Sequence, residues 1–161
     1  MKVATIFWKG FLFGLLGMGL LIYGLAEKLN LFLRQDYRAL ELYDLQGKLM
    51  DVSALPNQPL VVNYWATWCG PCIAEFPYFD AVRKQFDGKI TFVMISDDPQ
   101  KKVRRLLAGK KYGFVFLTTK QPLSLNARPV TFFYNKDKQE VCKRIGALDS
   151  TELYKALRLI Q

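Results

Sequence analysis

Two cysteines three positions apart, Cys69 and Cys72, lie in the run WATWCGPCIAEFP (65–77), and the chain holds only one other, Cys142. Cysteines at this spacing have three uses: half of a metal site, a structural cross-link, or a reversible dithiol couple. A closed zinc site needs two further ligands, and with no histidine in the chain Cys142 supplies at most one of them. A static bridge across so short a loop constrains little chain and therefore stabilises little. The dithiol couple is the reading these residues favour, with the bridge and the metal site as its alternatives. The absence of histidine also removes Cys–His and Ser–His catalysis. Ile73 stands where covalent haem attachment requires a histidine after the second cysteine.

The elements around the pair give it a direction. LVVNYWA (60–66) is a nearly continuous apolar run, rich in β-branched and aromatic residues, as in a strand buried on both faces. Residues 70–86 carry Ile73, Phe76, Phe79 and Val82 at near-helical spacing, with Pro77 expected to bend the axis. Cys69 therefore falls where a strand ends and a helix begins. Unpaired N–H groups and the positive end of the helix dipole favour a thiolate there, which is the attacking species. Pro71 is tolerated because a first-turn N–H has no partner in the helix. Cys72, one turn on and deeper, suits the second attack that resolves a mixed disulfide.

The remaining chain supplies a layered α/β pattern. Leu40–Tyr43 and Lys48–Val52 flank DLQG as a hairpin, and 90–96 reads as a second buried strand. Asp98 before Pro99 predicts a capped helix start, with Val103, Leu106 and Leu107 facing inward. Phe114–Leu117 is a short strand, and 130–134 pairs with 140–145 around NKDKQ. Asp149 and Glu152 form a capping box for a last helix that turns Leu153, Leu157 and Ile160 inward. Strands alternating with helices, then a hairpin and a final helix, predict a mixed central sheet flanked by helices.

The 161 residues, 51% hydrophobic and 23% charged, suffice for one such domain plus an apolar extra. That extra is GFLFGLLGMGLLIYGLA (10–26), uncharged and preceded by Lys2 and Lys9. It reaches the lower limit for a membrane span, and the lysines would hold the N-terminus inside. We read 1–26 as an uncleaved anchor, with a signal peptide cut at Gly24–Ala26 as the alternative. Residues 27–38 then form a tether, and 39–161 an exported domain. The net charge is +9, and without Lys2 and Lys9 it is still 21 basic against 14 acidic residues. The bases are scattered apart from KKVRRLLAGKK (101–111), which reads as a solvated helix face or a site of attraction to anionic headgroups or an acidic protein. Nucleic acid is not an expected partner of an exported domain.

From about Leu40 onward the sequence resembles the thioredoxin-fold family, and within it the membrane-anchored TlpA/ResA-type thiol–disulfide oxidoreductases. The residues that carry this are LYDLQGKLMDVSAL, PLVVNYWATWCGPCIAEFP, RPVTFFYNKDKQ and IGALDSTEL. The resemblance implies a thioredoxin-like fold with no cofactor and no metal, in which Cys69 is the nucleophile and Cys72 resolves. It makes Pro129 the cis-proline facing them, exposing the preceding backbone to a substrate strand. Trp68, Gly70, Pro71 and Arg128 would then line the substrate surface. Asn63 occupies the position of the buried aspartate of thioredoxins. Glu75 matches an acidic residue of TlpA/ResA-type proteins. It would accept the Cys72 proton, although an acid early in a helix also simply complements the dipole.

Two departures bear on specificity. TTKQPLSLNA (118–127) is shorter than the helix the family usually places there, and Arg128 stands where an uncharged residue is commoner. Cys142 reads as a small strand residue, with a reactive odd thiol outside the cytosol as the alternative. The function expected is a reductase of protein disulfides, anchored in a bacterial inner membrane and facing the periplasm or exterior. Its partners would be disulfide-bearing proteins and a membrane thiol donor, and cytochrome c maturation is the process relatives suggest. A disulfide-introducing oxidant and, more remotely, a copper-binding module are the alternatives.

Overall fold

The apolar run around Val62 forms strand β1 (Leu60–Tyr64), and every one of its residues is buried. The structure is a computed structural model and describes residues 13–25, 27, 35–86, 88–125 and 127–161. The chain divides into two units, Met1–Gln35 and Asp36–Gln161.

In the first unit, residues 13–25 form helix α1. Phe13, Leu20, Leu21 and Leu25 on it are 76, 68, 76 and 72% exposed. Among the described residues no helix is long and apolar enough to cross a membrane. The expected anchor over 1–26 lies partly outside them, as do residues 28–34 of the expected tether.

The second unit begins earlier than the sequence suggested. Asp36 caps a short 3-10 turn, Tyr37–Ala39, and Tyr37 is buried edge-on against Tyr134. The end of the expected tether is thus part of the folded unit. The hairpin around DLQG is reduced to a single bridge, Tyr43 with Leu49, and Tyr43 also bridges Thr118. Its turn is held by the Asp44 carboxylate, which accepts from the N–H groups of Gln46 and Lys48. Gly47 sits at φ +91°, a conformation that suits glycine.

Five strands form one sheet in the order β3-β2-β1-β4-β5, where β2 is Thr91–Ser96, β3 Val115–Thr118, β4 Val130–Tyr134 and β5 Glu140–Ile145. β1, β2 and β3 are parallel; β4 is antiparallel to β1 and to β5. Helices α2 (Gly70–Lys84), α3 (Gln100–Leu107) and α4 (Ser150–Leu159) contribute to one core with Val61, Phe92, Met94 and Phe133. The alternate residues Val62, Tyr64, Val93, Ile95 and Phe132 form a second core with Tyr37, Leu42, Leu123 and Leu125. The short segment before Pro129 therefore covers a sheet face with loop rather than helix. On the other side Phe76 of α2 packs edge-on to Trp65, Tyr112, Phe114 and Phe116, locking the first turns of α2 to the sheet.

α2 runs on through Pro77, and α4 carries the expected capping box at Asp149 and Glu152. The cap expected at Asp98 is not formed. Pro99 takes the N-cap position of α3 with no side-chain bond. The Asp98 carboxylate instead accepts from the backbone N–H of Thr67, 2.6 Å away.

Candidate functional site

The parallel pairing of β1 with β2 places the end of β1 beside the loop that follows Ser96. The backbone N–H of Trp65 donates to the Ile95 carbonyl, and the chain then turns so that the Cys69 N–H meets the Ala66 carbonyl. Cys69 is the N-cap of α2, and its sulfur accepts from the N–H of Cys72 at 3.2 Å. A sulfur so placed faces the positive end of the helix. Cys69 and Cys72 are joined as a disulfide, with Cys69 4% and Cys72 0% exposed. Gly70 and Pro71 are exposed beside them, and Trp68 is 74% exposed. Trp65, by contrast, is fully buried and holds the turn to the core. The rim of the pair is therefore apolar and open rather than a closed pocket. A cavity of about 400 Å³ bounded by Tyr43, Asp97, Asp98, Thr118 and Lys120 includes neither cysteine.

One turn beyond Cys72 on the same helix, Glu75 is 2% exposed. The register of β1 with β4 puts Asn63 opposite Thr131, and the Asn63 amide bridges inward. Its Nδ2 donates to Glu75 Oε1 and to Thr131 Oγ1, both at 2.9 Å. Glu75 Oε2 accepts from the Leu148 N–H at 3.1 Å. Burial raises the Glu75 pKa to about 7; the two neutral donors pull it down without offsetting the desolvation. This is not the position of a dipole-complementing surface acid. Glu75 is a buried carboxyl one helical turn from Cys72, where burial favours its protonated form. Asn63 was legible in the sequence as a replaced aspartate, but its bond to Glu75 was not. Asn63 Oδ1 is buried without a hydrogen-bond partner, while Nδ2 holds both Glu75 and Thr131.

Pro129 follows a cis peptide bond from Arg128 and leads directly into β4, two residues from Thr131. Arg128 is not free to meet a substrate. Its side chain is 7% exposed. It donates to the Leu125 and Ala127 carbonyls at 2.6 and 2.9 Å and to Asp97 Oδ2 at 3.4 Å. Its guanidinium thus braces the loop before Pro129, and no cysteine is among its partners. Asp97 Oδ2 also accepts from the Leu123 N–H. Adjacent acids at the end of β2 therefore hold two sides of the site: Asp98 the turn entering α2, Asp97 the loop ending in Pro129. Sequence reasoning missed both, reading Asp98 as a helix cap.

Cys142 is half-buried on β5 opposite Phe133, and burial pushes its thiol pKa up, away from reactivity. Among the described residues no three His, Cys, Asp or Glu side chains cluster as a metal site.

The Redoxin family profile matches residues 34–154. The thiol–disulfide oxidoreductase ResA of Bacillus subtilis (strain 168) is 28% identical over 127 residues, covering 74% of this chain and 71% of its own. The fold is similar to that of a thioredoxin-related protein from Neisseria meningitidis serogroup B, with TM-score 0.65, 22% identity and coverage of 74% and 98%. It is also similar to a secreted Mycobacterium tuberculosis disulfide oxidoreductase homologous to E. coli DsbE, with TM-score 0.61, 21% identity and coverage of 77% and 98%. With its C-x-x-C pair on the strand-to-helix turn of a thioredoxin-like α/β fold, the chain belongs to the Redoxin family as a thiol–disulfide oxidoreductase.

Proposed function

We propose that this protein reduces protein disulfides outside the cytoplasmic membrane of a bacterium, held there by its N-terminal apolar segment. The Cys69 thiolate attacks a client disulfide, forming a mixed disulfide and releasing one client thiol. The Cys72 thiol then gives its proton to Glu75 and attacks Cys69, which releases the second client thiol and leaves the Cys69–Cys72 disulfide. A membrane-embedded dithiol donor returns two electrons to the pair. Pro129, Trp68, Gly70 and Pro71 form the surface on which an extended client segment lies. The observation that carries this reading is Glu75, buried beside the deeper cysteine with a pKa of about 7. An acid of that strength is ionised enough to accept a thiol proton and neutral enough to return it.

Apocytochrome c is the client we favour, because the relatives that the sequence resembles include proteins keeping haem-attachment cysteines reduced. Anchoring supports this reading, since confinement raises the effective concentration of a membrane donor. The test is the steady-state redox state of Cys69 and Cys72 in cells, read by thiol trapping. A mostly reduced pair that oxidises when the donor is deleted is expected. A mostly oxidised pair indifferent to the donor would replace the reductase with an oxidant.

A further inference from the structure

The charge of the folded unit is concentrated in one place. From Asp36 onward the chain has 19 Lys and Arg against 13 Asp and Glu, a net +6. Residues 99–111, PQKKVRRLLAGKK, hold six of those cations and no acid, so the rest of the unit balances at 13 against 13. Lys101, Lys102, Arg104 and Arg105 are exposed on α3, and Lys110 and Lys111 are exposed just after it. Among the described residues none of the six pairs with a carboxylate. Val103 and Leu107 turn into the core, so the outward face of α3 is cationic throughout. Leu107, Tyr112 and Phe116, together with Arg104 and Lys110, line a cavity of about 360 Å³.

A row of cations costs self-repulsion, and among the described residues no ion pair offsets it. A cationic surface with an apolar recess suits an amphiphile whose head is anionic. The same chain carries α1, whose leucines and phenylalanine form an exposed apolar surface. We infer that α3 and Lys110–Lys111 form a docking surface for an anionic lipid bilayer, which fixes how the folded unit lies on the membrane. An acidic protein would also meet the cations, but the exposed apolar helix favours lipid as the partner. The choice of partner, and only that, rests on the membrane attachment proposed above.

The experiment uses the full chain with vesicles of phosphatidylcholine alone or mixed with phosphatidylglycerol. Flotation reads attachment. Lysine acetylation by a membrane-impermeant ester, mapped by mass spectrometry, reads docking, with Lys136 and Lys155 as exposed references. Each cation held at an anionic surface multiplies binding by about fivefold at low ionic strength. Lys101, Lys102, Lys110 and Lys111 should therefore be protected several-fold on the anionic vesicles only. High salt should remove this protection. A Lys101→Gln/Lys102→Gln/Arg104→Gln/Arg105→Gln variant should lose protection at Lys110 and Lys111 while reducing a small soluble disulfide at the unchanged rate. Flotation with both vesicle types but equal labelling on each would overturn the docking surface and leave the anchor standing. Flotation with anionic vesicles alone, with the lysines protected, would overturn the anchor and leave the docking surface standing. Protection by soluble polyglutamate and none by anionic vesicles would also overturn it, in favour of an acidic protein.

Discussion

The buried carboxyl of Glu75 makes a prediction about stability that is independent of any client. An isolated glutamate titrates near 4.5, and the native group near 7. Between these values the native state holds more protons than the unfolded state, so stability falls as pH rises through the window. Below the unfolded value the group contributes fully, and above the native value its contribution is gone. A displacement of 2.5 pH units corresponds to about 3.4 kcal/mol, of which about 2.5 kcal/mol falls between pH 5 and pH 8. Glu75→Gln removes the titration, whatever its effect on packing, because packing differences cancel when one variant is compared with itself at two pH values. The assay is urea unfolding of the oxidised protein, in which Cys72 does not titrate, at pH 5 and pH 8. Relative to the variant, the wild type should lose about 2.5 kcal/mol across that interval, a midpoint shift of roughly 1–2.5 M urea. Parallel pH dependence of the two proteins would show that the buried carboxyl titrates normally and would remove it as the proton acceptor.

Four further outcomes follow from named contacts. Asn63→Ala deprives the Glu75 carboxylate of one donor and should move its titration upward by about one to two pH units, visible in the pH profile of thiol exchange. Asp98→Ala should cost about 1–3 kcal/mol in chemical unfolding and slow exchange, because the Thr67 N–H loses its acceptor; Asp98→Asn keeps an acceptor and should retain most of both. Phe76→Ala opens a cavity among four aromatic rings and should cost about 3–5 kcal/mol by the same measurement. Cys142→Ser should leave the steady-state rate of disulfide reduction unchanged, since its half-buried thiol is outside the couple.

Much of this fold is local and was therefore readable. The unbroken apolar run at β1, the β4–β5 hairpin and the capping box at Asp149 each depend on neighbours within a few residues. The cysteine pair was readable for the same reason, since strand, turn and helix are contiguous around it. What stayed hidden are bonds between residues far apart in the chain. Asp98 has the local signature of a cap, and only the parallel pairing of β1 with β2 brings Thr67 within its reach. Arg128 looked like a surface cation facing substrate, yet Asp97, Leu125 and Ala127 occupy it. Glu75 drew notice as the match to an acidic residue of TlpA/ResA-type proteins, but its proton affinity depends on burial and on partners from β1 and the loop before α4. Sequence spacing carries no measure of desolvation.

If Cys69 attacks and Cys72 resolves, the mixed-disulfide intermediate can be trapped. Cys69→Ser and Cys72→Ser proteins would each be incubated with a disulfide-bearing client, quenched with a thiol-blocking reagent and resolved on non-reducing gels. A stable mixed disulfide through Cys69 is expected in the Cys72→Ser protein and none in the Cys69→Ser protein. Adducts through Cys72 in the Cys69→Ser protein, with none in its counterpart, would contradict it.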